Sequence, residues 1–169
     1  MRNDPIKVLQ TGWQAELPDL NTSAMATVAR INRVSVLVRR RLEDVMGIVG
    51  VSLGEFDVLS AMRRSGPPYE MNPSELAKAT MLSPGGMTHR LDQLGHAGLL
   101  ARIQNPKSRR TAPVRLTDEG VRTAEQCARA LVAAERAILA ALPANEAARL
   151  DKTLDALLNH LAQLDSTAT

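Results

Sequence analysis

The sequence predicts a mainly α-helical fold carrying a small β hairpin. Three observations predict it: apolar stripes at helical spacing near both ends of the chain, three helix-start signals crowded between Ser52 and Ser83, and two short extended segments either side of a basic tip. The 169 residues are 44% hydrophobic and 23% charged, which suits one globular domain spanning residues 1–169.

At the N-terminus a short helix is expected from about Asp4 to Ala15, carrying Trp13 between Thr11-Gly12 and the following Pro18. The indole can donate a hydrogen bond, wall off a flat ligand, or anchor that helix by packing. From Thr22 to Val49, positions Val28, Ile31, Val38, Leu42, Val45 and Val49 fall on a three-four spacing broken by Ser35, which is one face of a long helix. Arg30, Arg33, Arg39, Arg40 and Arg41 mostly occupy its other sides.

In the middle, Ser52-Leu53-Gly54-Glu55 forms a Ser-x-x-Glu capping box, and Phe56, Val58, Leu59 and Met62 give the helix it opens a buried side, ended by Ser65-Gly66-Pro67-Pro68. Asn72-Pro73-Ser74-Glu75 is a second start: a cap, a proline at the first helical position and a glutamate three after the cap. Ser83-Pro84 is the third, with Met87, Leu91 and Leu94 carrying that helix to Gly98. Two short helices separated by Thr80-Met81-Leu82-Ser83 make a helix-turn-helix, the unit that lays its second helix in a major groove.

Leu99–Ile103 and Ala112–Leu116 read as extended segments bracketing a wing. Residues Ala101 to Leu116 hold Arg102, Lys107, Arg109, Arg110 and Arg115 with no acid, so a net charge of +3 leaves the rest of the chain at −2. The basicity is local, as in a patch that faces a polyanion. Trp13, Phe56 and Tyr69 are the only aromatic residues, too few to stack successive bases of a single strand, so duplex DNA is the better partner.

Thr117 caps the next helix, with Asp118 and Glu119 at its positive end. Val121, Ala124, Ala128, Leu131, Ile138 and Leu142 form its apolar side, broken at Glu135, and Leu142-Pro143-Ala144-Asn145 turns into a last helix. There Leu150, Leu154, Leu157, Leu161 and Leu164 step by 4, 3, 4 and 3, an interhelical seam. Residues 1–49 and 118–169 are therefore expected to be dimerisation helices, flanking a winged helix-turn-helix, DNA-binding lobe at 50–117.

Cys127 cannot form an intrachain disulfide; it is either core or, if Arg129 or Arg122 stabilises its thiolate, a redox sensor. His89, His96 and His160 lack the spacing of a metal cluster or a triad, and no glycine-rich phosphate loop occurs. No catalytic constellation, metal or cofactor is expected. The N-terminus lacks the apolar run of a secretion signal and no stretch approaches the ~18 apolar residues of a membrane span, so a cytosolic chain without membrane contact is expected.

LGEFDVLSAMRRSG, NPSELAKATMLSPGGMTHRLDQLGHAGLLARI and NPKSRRTAPVRLTDEG, in that order, resemble the MarR (multiple-antibiotic-resistance regulator) family over essentially the whole chain. The resemblance implies an obligate homodimer with intertwined terminal helices, two winged lobes on a pseudo-palindromic double-stranded DNA operator, and a small-molecule pocket between dimer helices and lobe. It is closer still to the urate-responsive branch, whose members carry an extra N-terminal helix with a tryptophan, an aspartate in the second family helix, and two arginines around the recognition helix and first wing strand. Trp13, Asp57, Arg90 and Arg102 stand at matching places. Arg90 and Arg102 recur across the wider family, so Trp13 and Asp57 are the discriminating pair. Asp57 would either pair with Arg90 or another arginine, or accept a ligand N–H.

On the recognition helix, Ser83 and Thr88 can contact phosphates or bases, and His89 and Arg90 can reach base edges. Ser74, Pro84 and Gly85, at the starts of the two helices, are further candidates for DNA contact. Gly85 and Gly86 replace small hydroxyl residues common in relatives, allowing close backbone approach while removing side-chain readout. At the wing, Lys107, Arg109 and Arg110 would meet the minor groove and phosphates, and Ser108 replaces an aspartate that in most relatives fixes an arginine. Arg90 is claimed twice, by DNA and by an effector, and it cannot serve both in one pose.

These readings converge on a repressor released by a small aromatic or heteroaromatic anion such as urate. The alternatives are a redox-responsive regulator of the same fold using Cys127, and a ligand-independent architectural DNA-binding protein.

Overall fold

The computed structural model describes residues 4–80, 84–103 and 112–167. Helix α1 (Pro5–Glu16) begins after Asp4, whose carboxylate accepts the Ile6 N–H at 3.1 Å. It packs on α2 (Ser23–Val49), a 27-residue helix that ends at Gly50. The C-terminal half of α2 meets the main core cluster, with Met46 buried and Val45 and Val49 packed beside it; on the N-terminal half Ala26 is buried while Val28 and Val34 are exposed.

Helix α3 (Leu53–Arg64) starts with the predicted capping box. The Glu55 N–H donates to Ser52 Oγ at 3.2 Å and the Ser52 N–H donates to the Glu55 carboxylate at 2.7 Å. Such a cap contributes about 1 kcal/mol. Phe56, Val58, Leu59 and Met62 are buried as the pattern required.

Strand β1 (Glu70–Met71) follows, then α4 (Pro73–Thr80), where the Asn72 N–H donates to the Glu75 carboxylate at 2.9 Å. Helix α5 (Pro84–His96) buries Met87, Leu91 and Leu94 and leads into β2 (Leu100–Arg102). Strand β3 (Val114–Leu116) returns antiparallel to β2, pairing Leu100 with Leu116 and Arg102 with Val114. The sheet order is β1-β3-β2, with Glu70 opposite Arg115. The sequence pattern predicts two of these strands; the third, β1, falls between Pro68 and Asn72, where the pattern predicts no element. The Glu70–Arg115 ion pair joins β1 to β3.

Helix α6 (Asp118–Leu139) opens at Thr117, whose hydroxyl accepts the Gly120 N–H at 3.0 Å and donates to the Gly98 carbonyl at 2.8 Å. Gly120 sits so close to the Leu99 carbonyl that a Cβ there would overlap the oxygen. Gly120, Ala124 and Cys127 seal this end of α6 into the core; Val132 and Leu139 farther along are exposed. Helix α7 (Ala144–Thr167) carries Leu150, Leu154, Leu157, Leu161 and Leu164, all exposed in the single chain. Among the described residues, no single helix is long and apolar enough to cross a membrane.

Candidate nucleic-acid interface

Burial of Met87, Leu91 and Leu94 fixes the roll of α5, and the opposite side of that helix presents Gly85, Thr88 and His89 to solvent. Ser74, in the first turn of α4, is exposed as well. Pro84 is the first residue of α5, and Ser83 before it lies outside the described residues, as do Lys107, Ser108, Arg109 and Arg110 of the expected wing tip. The strands that carry that tip are in place, with Ala112 buried beside the root of β3.

Arg90 differs from its neighbours on α5. It is half-buried and turned toward α3, where its guanidinium occupies the space a Cβ at Gly54 would fill. Its Nη1 donates to the Gly86 carbonyl at 3.1 Å. Arg90 lines a cavity of about 530 Å³ with Arg39, Glu43 and the Gly50–Gly54 turn, and Arg39 Nε donates to Glu43 at 2.9 Å on its wall. Asp57, one turn beyond Gly54, lies within the field of Arg90. Although its outer side meets solvent, partial burial pushes its carboxyl above the ordinary value, and Arg90 first, then Arg39 and Arg64, pull it back down.

Arg102 belongs to a different cavity, of about 630 Å³, between α5 and β2, lined also by Thr88, Leu91, Gly95, His96 and Leu100. Its Nη2 donates to Asp92 Oδ1 at 2.6 Å. The His96 Nδ1 lies 2.7 Å from the Asp92 carbonyl, an acceptor that places the proton on that nitrogen. Trp13 stands half-exposed on α1 and lines neither of these two cavities. Within one chain, then, Arg90 and Asp57 are brought together, while Arg102 and Trp13 stand elsewhere. Arg39, Glu43 and Asp92, all at these cavities, carry no sequence motif that singles them out.

Cys127 has no exposed surface, and burial pushes its thiol above the ordinary value, opposite to what a reactive cysteine needs. Arg122, one of the two cations that were to stabilise its thiolate, is engaged by Glu119. Among the described residues no group of three or more His, Cys, Asp or Glu side chains is placed to hold a metal ion.

Two short helices followed by an antiparallel strand pair, with the second helix offering its polar side to solvent, define a DNA-binding winged helix-turn-helix regulator of transcription. The MarR family model matches residues 51–112. The regulator PecS of Dickeya dadantii is 36% identical over 149 residues, covering 88% of this chain and 90% of that protein. The solved structure of AbsC, a MarR family transcriptional regulator from Streptomyces coelicolor, superposes with a TM-score of 0.70 at 25% identity, covering 85% of this chain and 97% of that one. A mutant MarR from E. coli complexed with operator DNA superposes with a TM-score of 0.67 at 27% identity, covering 83% of this chain and 99% of that one. This chain belongs to the MarR family of transcriptional regulators.

Proposed function

We propose that the protein is a homodimeric repressor that grips its operator with two winged lobes and lets go when a small aromatic or heteroaromatic anion, urate or a related purine first, enters the space around Arg90. Residues 1–49 and 118–169 join the two copies, residues 50–117 form the lobe on DNA, and the protein acts in the cytoplasm.

The observation that carries this reading is the leucine stripe of α7. Leu154 is 39% exposed and Leu161 48% in the single chain, on a 24-residue helix with a coiled-coil step that has no buried residue among those described. A second copy supplies cover for that stripe and sets two α5 helices on one face, as an operator with two half-sites requires. The E. coli structure with operator DNA supports the same use of the lobe. Thr88 and His89 then face the major groove, with Gly85 at the close-approach end of α5, while Lys107, Arg109 and Arg110 neutralise phosphates at the wing.

The effector reading rests on Arg90 and Asp57. An anion hydrogen-bonded to Arg90 competes with Asp57 for the guanidinium and alters how α5 sits on α3, which couples ligand binding to operator binding. Resemblance to the urate-responsive branch, through Trp13 on α1 and Asp57, selects the purine class; within one chain Trp13 and Arg102 stand away from the Arg90 cavity.

Urate titrated into the protein on its own promoter DNA should release it. Retained binding at millimolar urate would eliminate that ligand and leave the repressor intact. A preference for operator over random duplex below about 10³ would instead favour a ligand-independent architectural binder.

A further inference from the structure

We infer that Arg63 is a positioning residue for operator binding, fixing the angle at which the winged lobe stands on α6 through its ties to Glu125 and Tyr69. Its Nε and Nη2 both donate to Oε1 of Glu125, at 3.0 and 2.7 Å, across 62 residues of sequence. On its other side the guanidinium carbon lies 5.1 Å from the centre of the Tyr69 ring. The Tyr69 carbonyl in turn accepts the Leu116 N–H at 3.1 Å, and the adjoining Glu70 is ion-paired with Arg115. One guanidinium thus links α6, the end of α3 and the root of the wing.

The lobe from α3 to β3 is attached to the rest of the chain at two points, Gly50–Val51 and Leu116–Thr117. Two attachments define an axis about which a lobe can turn. Arg63 lies ~16 Å along α3 from Ser52, and Glu125 ~12 Å along α6 from Thr117. A bond made that far along both helices from the attachments opposes turning of the lobe against α6. The shared core, in which Val58 and Met62 join Ala124 and Cys127, holds α3 against α6. Apolar attraction is non-directional, however, and resists separation better than turning. A planar guanidinium with two donors on one oxygen is directional.

This inference rests on the dimeric-operator reading. In a dimer, a rotation of each lobe changes the separation of the two α5 helices, which must match half-sites about 34–36 Å apart. At 38% and 42% exposure the pair adds little to stability, so its contribution is geometric.

The test uses the full chain, duplexes bearing its operator at native half-site spacing and with one base pair inserted between half-sites, and a random duplex. Arg63→Gln and Glu125→Gln should each lower the native-to-altered affinity ratio about fivefold, with melting temperature and random-duplex affinity unchanged, and the double variant should lower it no further. Arg63→Lys, which keeps the charge and loses the two-donor fork, should fall between. An unchanged ratio, an additive loss in the double variant, or an equal loss on every duplex with a lowered melting temperature would each overturn the inference. Failure of the unmodified chain to prefer its operator would bring down the dimeric-operator reading itself, and the inference with it.

Discussion

The guanidinium of Arg90 on α5 rests against Gly54 on α3, leaving no room for a Cβ at position 54. A residue without a side chain on one helix therefore leaves the space in which the half-buried arginine of the next is seated. Asp57, one turn along the same helix from Gly54, lies within the field of that arginine.

Gly54→Ala should displace Arg90 at almost no cost in stability, because the obstructed atoms are the end of a flexible side chain and alanine favours a helix over glycine. The melting temperature should stay within about 4 °C of the parent. Under the proposed urate response, the midpoint for release from operator DNA should move by at least about fivefold. An unmoved midpoint would take Arg90 out of the effector response.

Gly120→Ala presents the opposite case, since the obstruction is the Leu99 backbone carbonyl, already engaged by the Thr117 N–H. Backbone cannot swing aside, so urea unfolding should show a loss of about 1–3 kcal/mol with an unchanged slope. A neutral result would mean that the joint between wing and α6 yields freely.

The Asp57 carboxyl titrates above its ordinary value in the folded chain, so the folded state holds that proton more tightly than the unfolded chain does. Its favourable contribution is complete below the unfolded value and lost as pH rises through the folded one. Asp57→Asn should therefore melt above the parent at neutral pH, with the gap closing as pH falls into the carboxylate range. A gap independent of pH would assign the effect to something other than this ionisation.

Cys127 should resist thiol reagents in the native protein and react promptly once the chain is unfolded in denaturant. Peroxide should leave operator binding unaltered. Cys127→Ser should cost about 1–3 kcal/mol by burying a hydroxyl, whereas rapid native labelling would revive the redox reading.

Local signals in the sequence translated directly into structure. Ser52 with Glu55, Thr117 with Gly120 and the three-four spacing of Met87, Leu91 and Leu94 each encode their geometry within one or two helical turns. Strand β1 was not legible because two residues have no periodicity, and its partner Arg115 lies 45 positions away. Long separations in sequence likewise hid the Arg63–Glu125 pair and the cavity that Arg39 and Glu43 share with Arg90. Resemblance supplied Trp13, Asp57, Arg90 and Arg102 as a set; in the single chain Asp57 lies within the field of Arg90, and Arg102 holds Asp92.

Helix α6 is sealed into the lobe at Gly120, Ala124 and Cys127, yet offers Val132 and Leu139 outward a few residues later. Its two ends thus serve different surfaces, and only the number of residues between them sets their relative phase. Each residue turns a helix by about 100°. One residue inserted between Cys127 and Val132 would leave both surfaces chemically intact while rotating one against the other by that amount, so the length of this stretch is itself a specification of the assembly.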